Sequence, residues 1–200
     1  MSLVVVGGHS RNIGKTSLAC GIIAATKDCN WTAVKITLFG HGICSADGKP
    51  CSCAVDDPDH PFVINEEHDA TGSHDTGRML RAGARRALWV RAPQGRLGEA
   101  MPGLRERLGN DDQVLIESNS ILDYMQADVY LPLLDYSQPD FKASTARLLA
   151  RAAALVTVGH EATHQSWPSV GALTKPRFPV APPDYCSQEV VEFVRRKGAE

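Results

Sequence analysis

Hydrophobic positions follow two alternating periods along the chain. Short runs of β-branched and other apolar residues predict buried strands, and longer segments whose apolar residues recur at helical spacing predict helices. The predicted strands cover 3–6, 31–38, 87–90, 114–116, 129–134, 154–158 and 178–180, and the predicted helices cover 15–25, 76–86, 97–108, 144–154, 168–173 and 188–197. Strands that alternate with helices are typical of a parallel sheet covered on both faces. The predicted fold class is therefore α/β, with three layers and a mainly parallel sheet.

A glycine-bounded turn joins the first predicted strand to the first predicted helix. It runs from Gly8 to Thr16 as Gly-His-Ser-Arg-Asn-Ile-Gly-Lys-Thr. At that position, successive backbone N–H groups and the positive end of the helix dipole can hold a phosphate. We predict that Lys15 reaches the β- and γ-phosphates and that the Thr16 hydroxyl ligates Mg²⁺. The predicted nucleotide-binding residues are Gly8, His9, Ser10, Arg11, Asn12, Ile13, Gly14, Lys15, Thr16, Ser17 and Lys35.

The spacing of this turn departs from the strict phosphate-loop pattern. Five residues, not four, separate Gly8 from Gly14, and His9 stands where the first glycine usually falls. The alternative interpretation is a glycine-rich turn with an incidental lysine. The five-residue version resembles the loop of dethiobiotin synthetase and of related members of the SIMIBI class of P-loop NTPases.

Three further segments carry landmarks in an order that matches one family of that class. They are 34–37 (VKIT), 72–76 (GSHDT) followed by 82–84 (AGA), and 114–117 (VLIE). With them the chain resembles the molybdopterin-guanine dinucleotide biosynthesis protein B family over residues 8–117. Thr37, Ser118-Asn119 and the cysteines after Leu38 depart from that family's pattern. The resemblance implies a P-loop NTPase with a GTP-binding accessory role in molybdenum cofactor biosynthesis, and a cofactor-biosynthesis enzyme or molybdoenzyme as partner. It leaves a homodimer open.

Acidic residues follow several predicted strands and mark one edge of the sheet. Glu117 closes an apolar strand, so we expect it beside the phosphate turn, holding Mg²⁺ together with Thr16. Asp75 either completes the Mg²⁺ shell, accepts a proton, or caps the helix that follows it. The predicted catalytic residues are Lys15, Glu117 and Asp75. Lys35 either neutralises the phosphate of a second substrate or extends into solvent, and Asp135 ends a strand at the same edge.

A cysteine- and histidine-rich segment interrupts the periodic pattern at about 39–73. His41, Cys44, Cys51, Cys53 and His60 form a set of thiolate and imidazole ligands that suits tetrahedral Zn²⁺. A structural zinc contributes about 10–16 kcal/mol, which would offset the entropy of ordering a segment with few apolar residues. An Fe–S cluster, free thiols and a redox pair remain as alternatives. We interpret the segment as an insertion after the second strand.

Composition narrows the classes of function. The chain has 200 residues, of which 43% are apolar, and 21 lysines and arginines oppose 23 acidic residues, so neither a nucleic-acid backbone nor an anionic membrane has an electrostatic reason to bind it. We predict a single domain over 1–200 and a cytoplasmic protein whose six cysteines serve metals or chemistry rather than disulfides.

Three functions are compatible with these patterns. The first is Mg²⁺-dependent nucleoside triphosphate binding with slow hydrolysis. The second is a small-molecule kinase or ATP-dependent ligase resembling dethiobiotin synthetase, and the third is a metal-binding interaction module or metallochaperone. No Asn-Lys-x-Asp segment is present to read guanine, so GTP and ATP both remain as ligands.

Overall fold

The computed structural model describes residues 2–40, 62–160, 167, 170 and 173–198. Strands and helices alternate through most of this range. The strands are β1 (Ser2–Gly8), β2 (Thr32–Phe39), β3 (Val63–Glu67), β4 (Arg86–Pro93), β5 (Gln113–Glu117), β6 (Val129–Asp135), β7 (Leu155–Val158) and β8 (Arg177–Val180), and the helices are α1 (Lys15–Ala25), α2 (Asp75–Ala82), α3 (Leu97–Leu108), α4 (Ala143–Leu148) and α5 (Gln188–Gly198).

The strands form one sheet in the order β3-β4-β2-β5-β1-β6-β7-β8. The edge strand β3 runs antiparallel to β4, and the other neighbouring pairs are parallel. In the centre of the sheet, Lys35 of β2 lies opposite Glu117 of β5, which lies opposite Val6 of β1. The register therefore brings these two charged side chains to the edge where β1 enters the phosphate turn.

Two hydrophobic layers enclose the sheet, as the pattern of β1 illustrates. Leu3 and Val5 pack with α3 and α4 on one face, whereas Val4 and Val6 pack with α1, α2 and α5 on the other. Successive residues of a strand point to opposite faces, so a strand covered on both sides is apolar throughout. The α/β class, the mainly parallel sheet and the helices on both faces confirm the predicted fold class.

Most predicted elements are present, but two helices are shorter than predicted. The helix predicted over 76–86 ends at Ala82, because Gly83 adopts a left-handed conformation (φ 112°) and its N–H bonds back to Leu80. Residues 84–85 instead lead into β4, which begins at Arg86. The helix predicted over 144–154 ends at Leu148 and continues only as a 3₁₀ turn to Arg151.

The pattern did not predict β3. Its sequence, VINEE, has only two apolar residues, and as an edge strand it is only half-buried, so it carries little hydrophobic signal. Residues 41–61 lie outside the described residues, as does most of the helix predicted over 168–173. The insertion at 39–73 and the single domain therefore stay predictions. Among the described residues, no helix is long and apolar enough to cross a membrane.

Candidate functional site

The turn after β1 has the backbone conformation that a phosphate cradle needs. Asn12 and Gly14 have positive φ angles of 54° and 97°, and α1 begins immediately afterwards at Lys15. Left-handed residues in such a turn direct neighbouring N–H groups to one side, where they can bind an anion. A side chain at Gly14 would be strained by this φ, and its Cβ would overlap the ring of Tyr185. Both the helix start and the turn thus depend on glycine at this position.

Lys15 lies within the cradle with its amine directed at the turn. Its Nζ donates a hydrogen bond to the carbonyl oxygen of Ser10 at 2.6 Å. Burial lowers the pKa of Lys15 to about 8, against a smaller opposing effect of Glu117. A buried ammonium group with one neutral partner gains most from a polyanion placed beside it.

A chain of hydrogen bonds links the cradle to β5 and β2. Thr16 Oγ1 donates to Glu117 Oε2 at 2.7 Å, and Lys35 Nζ bonds Glu117 Oε1 at 2.6 Å. Glu117 is 3% exposed, so both of its oxygens are occupied inside the protein. Burial lowers the pKa of Lys35, but the carboxylates of Glu117 and Asp75 outweigh it, so the pKa lies above its usual value. The two residues predicted to share Mg²⁺ are therefore in direct contact.

Asp75 joins the same network from α2. Its Oδ2 lies 2.8 Å from Lys35 Nζ and its Oδ1 lies 3.3 Å from Arg78, whose other nitrogen donates to Ser17 Oγ at 2.9 Å. Burial by itself would raise the pKa of Asp75, but the charge and hydrogen bond of Lys35 outweigh that effect, so the pKa lies below its usual value. The capping interpretation is wrong, because His74 occupies the N-cap position and Asp75 is already helical.

His9 is a structural residue of the turn rather than a side chain open to a ligand. It is fully buried, and its ring contacts Phe141 and Trp167. Nδ1 donates to the carbonyl of Asp140 at 2.8 Å and Nε2 accepts from the N–H of Asp135 at 3.0 Å, so the imidazole is neutral. Burial accordingly lowers the pKa of His9. The His9 side chain is thus occupied within the protein, and the assignment of His9 as a nucleotide-binding residue of the turn stays a prediction.

Ser10 and Ile13 also point away from the cradle. The Ser10 hydroxyl donates to Asp140 Oδ2 at 2.6 Å, and Ile13 is 2% exposed within the core beneath α1. Asp135 uses its carboxylate to cap the turn at Ser137. These residues shape the site without offering side chains to a ligand.

Asn119 is one of the site residues that sequence reasoning missed. Its Oδ1 accepts from the N–H of Gly8 at 3.1 Å, and its Nδ2 donates to the Gly8 carbonyl at 2.9 Å. The Asn119 side chain fits there because Gly7 has no Cβ, which would overlap Asn119 Oδ1. One signal in the sequence could have indicated Asn119: it follows the strand that ends at Glu117, so it lies at the same edge of the sheet. The asparagine holds the start of the turn against β5 and so fixes the cradle to the sheet.

The site opens as a cleft with two arms that share Lys15, Lys35 and Glu117. The first, which we call the helix arm, has a volume of about 320 Å³ and is lined by Asn12, Gly14, Thr16, Ser17 and Tyr185. The second, the sheet arm, has a volume of about 230 Å³ and is lined by Gly8, Arg11, Gln94, Lys142 and Ser144. Lys142 and Ser144 come from the start of α4 and were also missed.

The predicted zinc ligands His41, Cys44, Cys51, Cys53 and His60 lie outside the described residues. Within the described part of the chain, no group of three or more histidine, cysteine or acidic side chains is arranged to hold a metal ion. The zinc site therefore stays a prediction.

The sheet and the cradle define the class: this is a P-loop NTPase fold. The chain matches the crystal structure of HypB from Helicobacter pylori in complex with nickel, with a TM-score of 0.52 and 15% sequence identity over 98% of this chain and 86% of that one. At this identity the match shows a shared fold. No protein-family model matches the chain, and no curated protein does.

Proposed function

We propose that this protein binds a Mg²⁺–nucleoside triphosphate in the cradle and hydrolyses it slowly. The proposal rests on the contact between Thr16 Oγ1 and Glu117 Oε2 at 2.7 Å, directly beside Lys15 at the start of α1. A hydroxyl and a carboxylate are hard oxygen donors that suit Mg²⁺, and Thr16 and Glu117 would hold it. When bound, Mg²⁺ neutralises phosphate charge and orients the γ-phosphate.

The side chains of the chain itself divide the remaining work. The N–H groups of the turn and the α1 dipole bind phosphate oxygens, and Lys15 supplies a charge at the end of the turn. Lys35 holds Glu117 in place from the neighbouring strand. Phosphoryl transfer needs mainly such positioning and charge stabilisation.

The surroundings of Asp75 support slow turnover. Its carboxylate is paired with Lys35 and Arg78, and its pKa lies below the usual value. A general base works best with a pKa near the operating pH, so Asp75 is a weak proton acceptor for an attacking water. Its contribution is to position Lys35.

We further propose an accessory role in cofactor maturation, similar to that of the molybdopterin-guanine dinucleotide biosynthesis protein B family. Lys35, Asp75 and Glu117 belong to the three segments that carry the resemblance, and their side chains meet in one hydrogen-bonded network. Such proteins act on a partner, here a cofactor-biosynthesis enzyme or a molybdoenzyme.

A metal-handling role is the second candidate. The matched HypB structure was solved with nickel, and the Cys/His segment of this chain joins β2 to β3, with Leu38 near the end of β2 lining the cleft. A metal-binding module or metallochaperone would use Cys44, Cys51 and Cys53 with a histidine.

The first test is equilibrium titration of the purified protein with GTP and with ATP, with Mg²⁺ and with EDTA. We expect binding that weakens at least about tenfold without Mg²⁺, with GTP bound more tightly than ATP. Phosphate release should be slow, on the order of 10⁻⁴–10⁻² s⁻¹, as in P-loop GTPases without an activator. Failure of both nucleotides to bind in Mg²⁺ would refute the proposal. Fast turnover only with an added small acceptor would favour the kinase or ligase alternative.

The second test is metal analysis of the purified chain by inductively coupled plasma mass spectrometry. We expect one equivalent of zinc, lost when Cys44, Cys51 and Cys53 are replaced together by serine. The matched control replaces Cys20, Cys29 and Cys186, which are free thiols on other elements. Equal metal content in the two variants would contradict a site at the predicted cysteines. Titration of the metal-free protein with nickel and with zinc shows which of the two ions it binds more tightly.

A further inference from the structure

Four basic side chains and one carboxylate line the sheet arm of the cleft among the described residues. Arg11 and Lys142 line it in addition to Lys15 and Lys35. Glu117 is its one carboxylate among the described lining residues, and it is already bonded to Lys35 and Thr16. The arm is therefore a cationic recess next to the end of the cradle at which Gly8 lies.

Lys142 is held in this recess by its backbone. Its N–H donates to the carbonyl of His9 at 2.9 Å, which ties the start of α4 to the phosphate turn. Burial, together with the charge of Arg11, lowers the pKa of Lys142. The charge of the nearby Asp140 opposes this shift, but its carboxylate accepts from the Ser10 hydroxyl, and among the described residues no carboxylate lies within salt-bridge distance of Lys142 or Arg11. Two partly buried cations thus face the recess together.

The other walls of the sheet arm supply hydrogen-bonding groups and an apolar surface. Gln94 and Ser144 line the recess, and their side chains have no hydrogen-bond partner among the described residues. Ile36 and Leu38 of β2 form the apolar wall. A ligand that fits these walls combines an oxyanion with an apolar body.

The two arms meet a triphosphate from different ends. The helix arm contains Gly14, Thr16 and Ser17, whose N–H groups belong to the start of α1. The sheet arm contains Gly8 and Arg11, from the first half of the turn, and shares Lys15 with the helix arm. A triphosphate that runs along the cradle occupies the helix arm and places its last phosphate at Lys15, with Arg11 and Lys142 beyond it.

We propose that the sheet arm binds a second ligand, a small organic phosphate ester, whose phosphate lies between Arg11 and Lys142 beside the γ-phosphate of the nucleotide. The inference rests on the proposed function for the position of the nucleotide. A phosphate monoester carries a charge of about −1.5 to −2 near pH 7, which would be balanced by Arg11 and Lys142, two cations without a salt-bridge partner among the described residues. The apolar wall of Ile36 and Leu38 would receive the organic part.

The test uses the full chain loaded with Mg²⁺ and a β,γ-imido triphosphate, so that the γ-phosphate position is filled. Inorganic phosphate is then titrated by calorimetry. We expect phosphate to bind the loaded wild-type protein, and Lys142→Gln to weaken it at least tenfold with less than a twofold change in triphosphate affinity. Lys142→Arg should restore most of the binding, and Lys27→Gln, which removes an exposed lysine on another element, should change neither affinity.

Each outcome separates this inference from the proposed function. If the imido triphosphate binds but phosphate does not bind the loaded protein, the sheet arm is not a second site and only this inference fails. If Lys142→Gln weakens both ligands equally, the arm belongs to the triphosphate and the inference also fails. If no triphosphate binds, the proposed function fails, and phosphate binding to the free protein that depends on Lys142 would still support the arm. Ser144→Ala provides a second variant should Lys142→Gln fold poorly.

Discussion

Replacing Lys15 with alanine will abolish triphosphate binding and leave the fold intact. The wild-type ammonium is largely buried beside the cradle, and among the described residues only the Ser10 carbonyl is a close partner, so its charge is available to the phosphates. Removing one partner of a buried charge pair costs about 2–5 kcal/mol, which corresponds to at least a ~30-fold loss of affinity. Calorimetric titration with Mg²⁺-GTP and Mg²⁺-ATP measures the loss.

The pH dependence of binding provides an internal check on Lys15. In the free protein, burial lowers the pKa of Lys15 to about 8. A bound polyanion raises the pKa of Lys15 again, so binding takes up a proton near and above pH 8. Affinity should therefore be constant well below pH 8 and fall as the pH rises above it. Titrations in two buffers of different ionisation enthalpy detect the proton taken up.

Two controls make the result for Lys15 interpretable. The midpoint of thermal unfolding should be nearly unchanged in Lys15→Ala. Burial makes the charged Lys15 side chain unfavourable in the folded state, so its removal costs the fold little. Lys27→Ala, an exposed lysine on another element, should bind triphosphate as the wild type does. Unchanged affinity in Lys15→Ala would overturn the assignment of the cradle.

The second large effect concerns Glu117, whose replacement by glutamine should reduce hydrolysis about 100-fold or more. Glutamine preserves the size of the side chain and can still accept from Thr16, but it removes the negative charge that would help hold Mg²⁺. Loss of one hydrogen-bond donor from an oxyanion hole costs about 10²–10³ in rate, and we expect an effect of the same order for the loss of this charge. Single-turnover phosphate release at saturating Mg²⁺-GTP separates this effect from weaker binding.

The control for Glu117 is Glu66→Gln, at the antiparallel edge of the sheet. Glu66 is also paired with a basic side chain, Arg86 at 3.0 Å, but it lines neither arm of the cleft. It should leave the hydrolysis rate unchanged. Equal rates in Glu117→Gln and the wild type would mean that Glu117 only anchors Lys35, and hydrolysis would need another metal ligand.

The chain's local patterns were sufficient to predict the layers of the fold and the position of the turn between β1 and α1. The helices predicted over 15–25 and 97–108 are found with those bounds, because their apolar spacing and the glycines beside them act within a few residues. The phosphate turn is likewise a local feature, since its shape depends on Gly14 and on the helix that starts at the next residue.

The contacts that complete the site depend on residues far apart in the chain. Asn119 bonds Gly8, which lies 111 positions away in the chain, and Lys142 bonds the backbone of His9. No sequence motif around Asn119 or Lys142 predicts these contacts. The ionisation of Asp75 also follows from its distant neighbour Lys35. Such pairings require the strand order and register, which short-range periodicity does not encode.

By itself the sequence determined an α/β sheet with a glycine-bounded turn between β1 and α1, because strand period, helix period and glycine conformation are properties of neighbouring residues. Only the tertiary structure decided that His9 turns inward as a neutral structural residue and that the cleft has a second, cationic arm. Those outcomes depend on burial and on charges brought together by the parallel register of the central strands.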